Sequence, residues 1–222
     1  MTATSTRLLP ALTVFDAALS RAGAGATSVL TVRNNRGAEQ QVDATSWRRP
    51  WLPGDDRLLD RCGGPVLDIG CGPGRLTYAL SRRGHAALGV DVSAAAVQLA
   101  RARGAIALRR DVFGALPGEG RWRHLLLADG NIGIGGDPAR LLRRGRELLA
   151  PDGRLHVELA PPGTPSWAGE ARISAGGGPA SEPFRWAVLA AGDLPEPAVA
   201  SGLRILATWT EAGRWFATLS PA

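Results

Sequence analysis

The run Asp68-Ile69-Gly70-Cys71-Gly72-Pro73-Gly74 constrains this chain more than any other segment. An apolar stretch, Pro65-Val66-Leu67, precedes it, and a helix-like stretch, Arg75 to Arg83, follows. One line of sequence therefore predicts a buried strand, a tight glycine turn and a helix start. A turn of this kind lets a ligand approach bare backbone. The spacing is D-x-G-x-G-x-G rather than G-x-G-x-x-G, and Arg75 stands where a dinucleotide-binding turn would place its third glycine. That spacing argues against a nicotinamide dinucleotide.

From Gly64 onward the pattern is regular. Strands are predicted at Val66 to Ile69, Ala86 to Val90, Ala105 to Arg109, His124 to Ala128 and Arg154 to Leu159. Helices are predicted at Arg75 to Arg83, at Ser93 to Arg103 with Ser93 as N-cap, and at Ala139 to Leu149 with Pro138 in the first turn. Strands alternating with helices imply an α/β domain with a mostly parallel sheet and right-handed crossovers. Ile205 to Thr210 and Arg214 to Leu219 flank Glu211-Ala212-Gly213 and read as a final antiparallel hairpin.

Residues 1–60 do not share this rhythm. They read as an N-terminal extension: a helix over Arg7 to Arg21, then a hairpin pairing Val29 to Arg33 with Gln40 to Ala44. Asp55-Asp56 could cap a helix over Arg57 to Cys62. Residues 61–222 form the main domain, with a hairpin insertion around 161–189 in a Gly-, Pro- and Ser-rich segment. The extension is expected to act as a lid or a dimer contact.

Composition narrows the class. The chain has 222 residues and is 45% hydrophobic, which suits one globular α/β domain plus an extension and no membrane span. Asp16 and Arg21 interrupt the apolar start, which reads as an amphipathic helix of a cytoplasmic protein rather than a signal peptide. Cys62 and Cys71 give neither a disulfide framework nor a metal-ligand spacing, so no metal is expected. All 26 basic residues are arginine and the net charge is +6. The arginines fall in separate elements without an accompanying aromatic RNA motif, so solvated faces are favoured over a nucleic-acid surface.

Four acids lie where strands end or begin to turn: Asp68, Asp91, Asp111 and Asp129. An acid there is often only the cap of the next helix, and Asp111 is open to that reading. Together they would converge on the crevice beyond the carboxyl ends of the strands, where open α/β sheets bind ligands.

Three motifs then support a resemblance. They are Val66-Leu67-Asp68-Ile69-Gly70-Cys71-Gly72-Pro73-Gly74, Gly89-Val90-Asp91-Val92-Ser93 and Arg110-Asp111-Val112-Phe113, with the turn Leu148-Leu149-Ala150-Pro151-Asp152-Gly153-Arg154 beside them. Residues 64–160 resemble a class I S-adenosylmethionine-dependent methyltransferase of the small methyltransferase-domain type. The resemblance implies a Rossmann-like, seven-stranded, mostly parallel sheet with helices on both faces and its last strand antiparallel. It implies S-adenosylmethionine as cofactor, and Asp68, Gly70, Cys71, Gly72, Gly74, Asp91, Val92, Asp111, Val112 and Asp129 as its site. Gly70 and Gly72 would admit the methionyl and ribose part, and Asp68 would orient the methionine ammonium. Asp91, 17 residues after Gly74, would accept both ribose hydroxyls. Asp111 would accept from the adenine amino group with Val112 against the ring, and Asp129 would stand where cofactor and acceptor meet.

The acceptor is less legible. Glu158 near the exit of the fifth strand is the candidate base, or else a carboxylate paired with an arginine. Asn131, in the glycine-rich loop after Asp129, is the second candidate catalytic side chain. That loop is expected either to wall the methyl-transfer site or to be a tight connection. Trp47, Trp51 and Trp167 could form an aromatic lid, while Trp186, Trp209 and Trp215 read as core. The expected function is methyl transfer to a small-molecule acceptor. The alternatives are an RNA methyltransferase and a non-catalytic methyltransferase-like partner protein. A homodimer through the extension also fits.

Overall fold

A computed structural model describes residues 8–222. The chain runs α1 (Ala11–Gly23), β1 (Val29–Asn34), β2 (Glu39–Asp43), α2 (Asp55–Leu59), β3 (Val66–Ile69), α3 (Arg75–Arg82), β4 (Ala87–Asp91), α4 (Ala94–Arg103) and β5 (Ala107–Arg109). It continues through β6 (Trp122–Leu127), α5 (Pro138–Leu148), β7 (Leu149–Leu159), β8 (Trp167–Ala175), β9 (Phe184–Val188), α6 (Pro195–Ala200), β10 (Leu203–Glu211) and β11 (Arg214–Pro221). Arg7, the expected start of the first helix, lies outside the described residues.

The main sheet has seven strands in the order β10-β11-β7-β6-β3-β4-β5. The pairs among β7, β6, β3, β4 and β5 are parallel, and β11 runs antiparallel to both its neighbours. This is the expected sheet with its antiparallel last strand. On β6, Leu125 and Leu127 join one apolar cluster while Leu126, with Ala128 just past the strand, joins another on the opposite face. A strand buried on both faces needs the near-continuous apolar run that its sequence shows. Helices α5 and α6 supply Leu141, Leu142, Leu148 and Ala198 to the first cluster, and α2 and α3 supply Leu58, Leu59, Leu76 and Leu80 to the second. Among the described residues, no helix is long and apolar enough to cross a membrane.

The two hairpins outside the main sheet were expected separately, and the structure joins them. β1 pairs antiparallel with β8, in register Leu30 with Ala175, giving a second sheet ordered β2-β1-β8-β9. Its inner face packs Leu30 and Ile173 against Val14, Ala18 and Ala22 of α1. Trp47 enters this small core, its ring 5.3 Å from Phe15, rather than a lid. Trp51 remains 49% exposed and donates its ring N–H to Asp56 at 3.0 Å. Trp209, as expected, is buried and stacks on Phe216.

The small sheet meets the main domain through the glycine-rich loop. A Cβ on Gly133 would sit 2.1 Å from the Ala187 carbonyl oxygen, and one on Gly136 would lie 3.0 Å from the Trp186 nitrogen. Both glycines are therefore required by direct backbone contact with β9. The loop is a joint between the sheets as well as a strand-to-helix connection.

Candidate active site

The glycine turn is fastened to its neighbour strand. Gly70 and Cys71 both donate their N–H to the Val90 carbonyl, at 2.8 and 3.1 Å. Gly74 closes the turn by donating to Cys71 at 2.9 Å and starts α3 in left-handed conformation, with φ +77°. Its Cβ would meet Ala100 at 2.7 Å, so α4 packs where only glycine fits. Gly72 differs: among the described residues nothing lies within 4 Å of its Cβ position, so the turn is open at that point. Cys71 is buried, and burial with Asp68 and Asp91 nearby pushes its thiol far up, which keeps it a packing residue.

Asp91 closes β4. One carboxylate oxygen accepts the Gly72 N–H at 3.0 Å and the other accepts the Ser93 N–H at 2.8 Å. A carboxylate offers about four lone-pair sites, so both oxygens retain acceptor capacity. Burial raises the Asp91 pKa against the effect of those two N–H donors. Ser93 is the expected N-cap, its hydroxyl oxygen accepting the Ala96 N–H at 2.9 Å. Its hydroxyl also donates to Asp16 of α1, so the N-terminal helix is latched beside the crevice.

Asp68 is 3% exposed and accepts the Thr77 hydroxyl at 2.6 Å. Burial outweighs that bond and pushes its pKa up to about 6. Asp111 is exposed and accepts the Phe113 N–H at 2.9 Å, so it does stabilise the following turn. It also lines a cleft of about 260 Å³ with Leu12, Val92, Arg109 and Arg110. Val92, 47% exposed, is an apolar side chain left bare at the rim of this cleft. Val112 is buried in the main core. Leu12 was not expected here; it arrives because α1 docks on α4, which local sequence pattern does not disclose.

Asp129 follows β6 with φ +54°, a left-handed conformation that aspartate tolerates better than most residues. Its N–H donates to Glu158 at 2.7 Å. Its carboxylate bonds Arg75 and, at 3.3 Å, Arg214. Arg75 also pairs with Asp55, the two being 4% and 2% exposed. Arg214 forks onto both oxygens of Glu158 at 2.8 Å and reaches Asp55 at 2.8 Å. Five charged groups from α2, α3, the end of β6, β7 and β11 are thus linked at one edge of the crevice. Asp55, expected as a helix cap, instead turns its carboxylate into this network and accepts the Leu52 N–H at 2.8 Å.

The two candidate catalytic residues have definite tasks in this arrangement. Glu158 is the arginine-paired carboxylate, its oxygens taken by Arg214 and by the Asp129 N–H. The Asn131 amide donates to the carbonyls of Ile69 at 2.9 Å and Gly70 at 2.8 Å, bracing the glycine turn from the neighbouring strand.

Beside the central strands β6 and β7, Cys62, His124 and His156 are buried with potential ligand atoms within 4.8 Å of one another. Their separation in sequence gave no hint of this. The ring nitrogens are already engaged: Gly63 N–H donates to His124 Nε2 at 3.0 Å, His124 Nδ1 lies 2.9 Å from His156 Nε2, and His156 Nδ1 lies 3.0 Å from the Thr218 hydroxyl. Because the first step is a donation into His124, the chain is consistent with two neutral rings, each passing one N–H along. Burial, then His124 and Arg61, hold the His156 pKa down at about 3, below its ordinary value of 6.5. Folding stability should therefore fall as pH drops from about 6.5 toward 3, because the unfolded chain takes up the proton first, by up to about 1.4 kcal/mol per pH unit per histidine. Asp68 acts in the opposite sense, since its raised pKa favours the folded state as pH falls below about 6. Urea titrations of the wild type and His156→Gln between these pH values separate the two: the variant should show the flatter acid limb, and equal slopes would contradict the relay.

Comparison with known proteins agrees with this geometry. Residues 66–153 match the family described as a methyltransferase domain. The trans-aconitate 2-methyltransferase of Paracidovorax citrulli is 36% identical over 98 residues, covering 42% of this chain and 38% of that protein. An uncharacterized protein of Mycobacterium tuberculosis is 33% identical over 151 residues, covering 68% of this chain and 50% of that one. The chain thus spans half or less of these relatives. A Bacteroides fragilis S-adenosylmethionine-dependent methyltransferase, solved with S-adenosyl-L-homocysteine, shares the fold over 99% of this chain and 100% of its own, with TM-score 0.79 and 22% identity. With the seven-stranded sheet and the glycine turn flanked by strand-end acids, these matches show a methyltransferase domain over residues 66–153, in a chain whose fold is that of class I S-adenosylmethionine-dependent methyltransferases.

Proposed function

We propose that this chain binds S-adenosylmethionine in the crevice around Gly72 and transfers its methyl group to a small-molecule acceptor. The observation that carries the reading is Asp91, which pins the glycine turn through Gly72 yet keeps acceptor capacity beside open space. A carboxylate acceptor so placed fits a ribose diol, whose two hydroxyls donate. The cleft between Val92, Leu12 and Asp111 offers apolar walls and a carboxylate acceptor, as an adenine requires. Buried Asp68 is a counter-ion for an ammonium, and Asp129 lies toward the methyl end. When bound, the cofactor supplies an electrophilic methyl group on a sulfonium.

The protein's share of an in-line displacement is mainly positioning. Asn131 and Glu158 act in this reading by holding the glycine turn and Asp129, not by carrying protons. Helix α1 and the four-stranded sheet β2-β1-β8-β9 flank the crevice, α1 on the adenine side through Leu12 and Asp16 and β9 at the loop through its contact with Gly133. A small-molecule acceptor is in line with the trans-aconitate named for one relative. It is also in line with the arginines, several of which are paired in place: Arg33 with Glu39, Arg57 with Glu211, Arg83 with Asp56 and Asp60, and Arg144 with Glu119 and Glu147. Incubation with methyl-labelled S-adenosylmethionine and a cell extract tests this. Label should appear in the low-mass fraction; label confined to RNA or protein would contradict the small-molecule reading.

A further inference from the structure

We propose that Arg214, on the last strand of the sheet, is a positioning residue for the methyl-transfer end of the crevice, acting through Glu158. The inference rests on the cofactor reading above. Arg214 holds Glu158 by a two-pronged fork, Nε to Oε1 and Nη2 to Oε2, both at 2.8 Å. Such a fork fixes the orientation of a carboxylate as well as its charge. The oriented Oε2 then accepts the Asp129 N–H at 2.7 Å. That bond holds Asp129 in its left-handed conformation, and two residues later Asn131 bonds the carbonyls of Ile69 and Gly70. A guanidinium at the start of β11 is thereby connected to the glycine turn through one carboxylate and one loop. The Phe216 ring supports the guanidinium from below, 5.0 Å away. Arg75 steadies the Asp129 carboxylate independently.

The network holds three carboxylates, Asp55, Asp129 and Glu158, against two guanidiniums. Its surplus is one negative charge, and the 31% exposed Asp129 is its most accessible carboxylate. A sulfonium is a cation and the thioether product is not. Holding Asp129 in place should therefore matter more for S-adenosylmethionine than for S-adenosylhomocysteine. Charge counting alone gives the opposite sign, because removal of Arg214 leaves the network more negative and would tighten a cation.

Calorimetric titration of Arg214→Gln with both compounds decides between these. The expected result is a folded variant that binds S-adenosylmethionine about tenfold more weakly, with S-adenosylhomocysteine weakened less than about threefold, on the scale of a lost charge-assisted hydrogen bond. Glu158→Gln on top of Arg214→Gln should add almost nothing, since the two act in series. Arg214→Lys, which keeps the charge but not the fork, should recover part of the loss. Arg57→Gln, which removes an exposed ion pair to Glu211, serves as the unaffected control. Unchanged or tighter S-adenosylmethionine binding in Arg214→Gln overturns the proposal, as does an equal loss for both compounds, which mere loosening would give. If Arg214→Gln does not fold, Arg214→Lys carries the test on the same criteria. Wild-type protein that binds neither compound would instead sink the cofactor reading itself.

Discussion

Arg75→Met should lower folding stability by about 3–5 kcal/mol, the effect expected when one partner of a buried charge network is removed. Arg75 is 4% exposed and its partner Asp55 is 2% exposed, so the loss would leave a carboxylate inside the protein with Arg214 as its remaining cation among the described residues. Burial alone would lower the Arg75 pKa, but Asp129 and Asp55 outweigh it and raise it, so the guanidinium is charged throughout the working pH range. The direction does not depend on whether the intact network is stabilising in itself. Desolvation of five charged groups offsets much of their attraction, and an apolar replacement of the whole set could fold as well. Removing one member is different, because the others keep their desolvation without their partner. Urea denaturation should show a lower midpoint with little change in slope. A midpoint within the error of the wild type would mean that water or a side-chain rearrangement already satisfies Asp55.

Asp91→Ala should weaken S-adenosylmethionine binding by about 1–3 kcal/mol, because charge-assisted hydrogen bonds to the ribose are lost. That corresponds to a dissociation constant raised by roughly 5- to 150-fold. Two contributions add here. The ribose loses its acceptor, and the Gly72 N–H loses the carboxylate that shapes the turn. Asp91→Asn separates them, since its carbonyl oxygen can still accept from Gly72 while offering one acceptor fewer to a diol. Binding by the asparagine variant should fall between the other two. An unchanged constant in folded Asp91→Ala would remove the ribose role and with it the orientation of the cofactor.

Much of this site was legible because it is built from local signals. A strand, a glycine turn and a helix that follow one another place Asp68, Gly72 and Gly74 without knowledge of distant contacts. The acids that end β4 and β6 were visible for the same reason, as was the Ser93 cap. What was not legible depends on which strand lies beside which. Leu30 and Ala175 are paired, but their alternating patterns say only that each strand has a buried face. The two hairpins therefore looked like separate appendages rather than halves of one sheet. The charged network was hidden in another way. Glu158 was readable as a carboxylate paired with an arginine, but three members had an ordinary local explanation: Asp55 as a cap, Arg75 as a missing glycine, Arg214 as a hairpin residue. One signal was available. An arginine at the first position of a helix opposes the helix dipole, so Arg75 needed a nearby carboxylate, and the structure supplies two. The glycines of the loop after Asp129 could be read as a wall or a connection because their reason lies in β9, some fifty residues away in sequence, which no local pattern names.

Calorimetric titration of the wild-type protein with S-adenosylmethionine tests the central claim most directly. One saturable site per chain is expected, with protons released on binding near pH 6 as the cofactor ammonium draws Asp68, held near 6 by burial, into its charged form. The sign is open to measurement, since the heat of binding should then vary with the ionisation enthalpy of the buffer. Saturable binding that Asp91→Ala weakens would place the methyl donor on the turn from Asp68 to Gly74. No binding by the folded wild-type protein would contradict the account, whatever the acceptor.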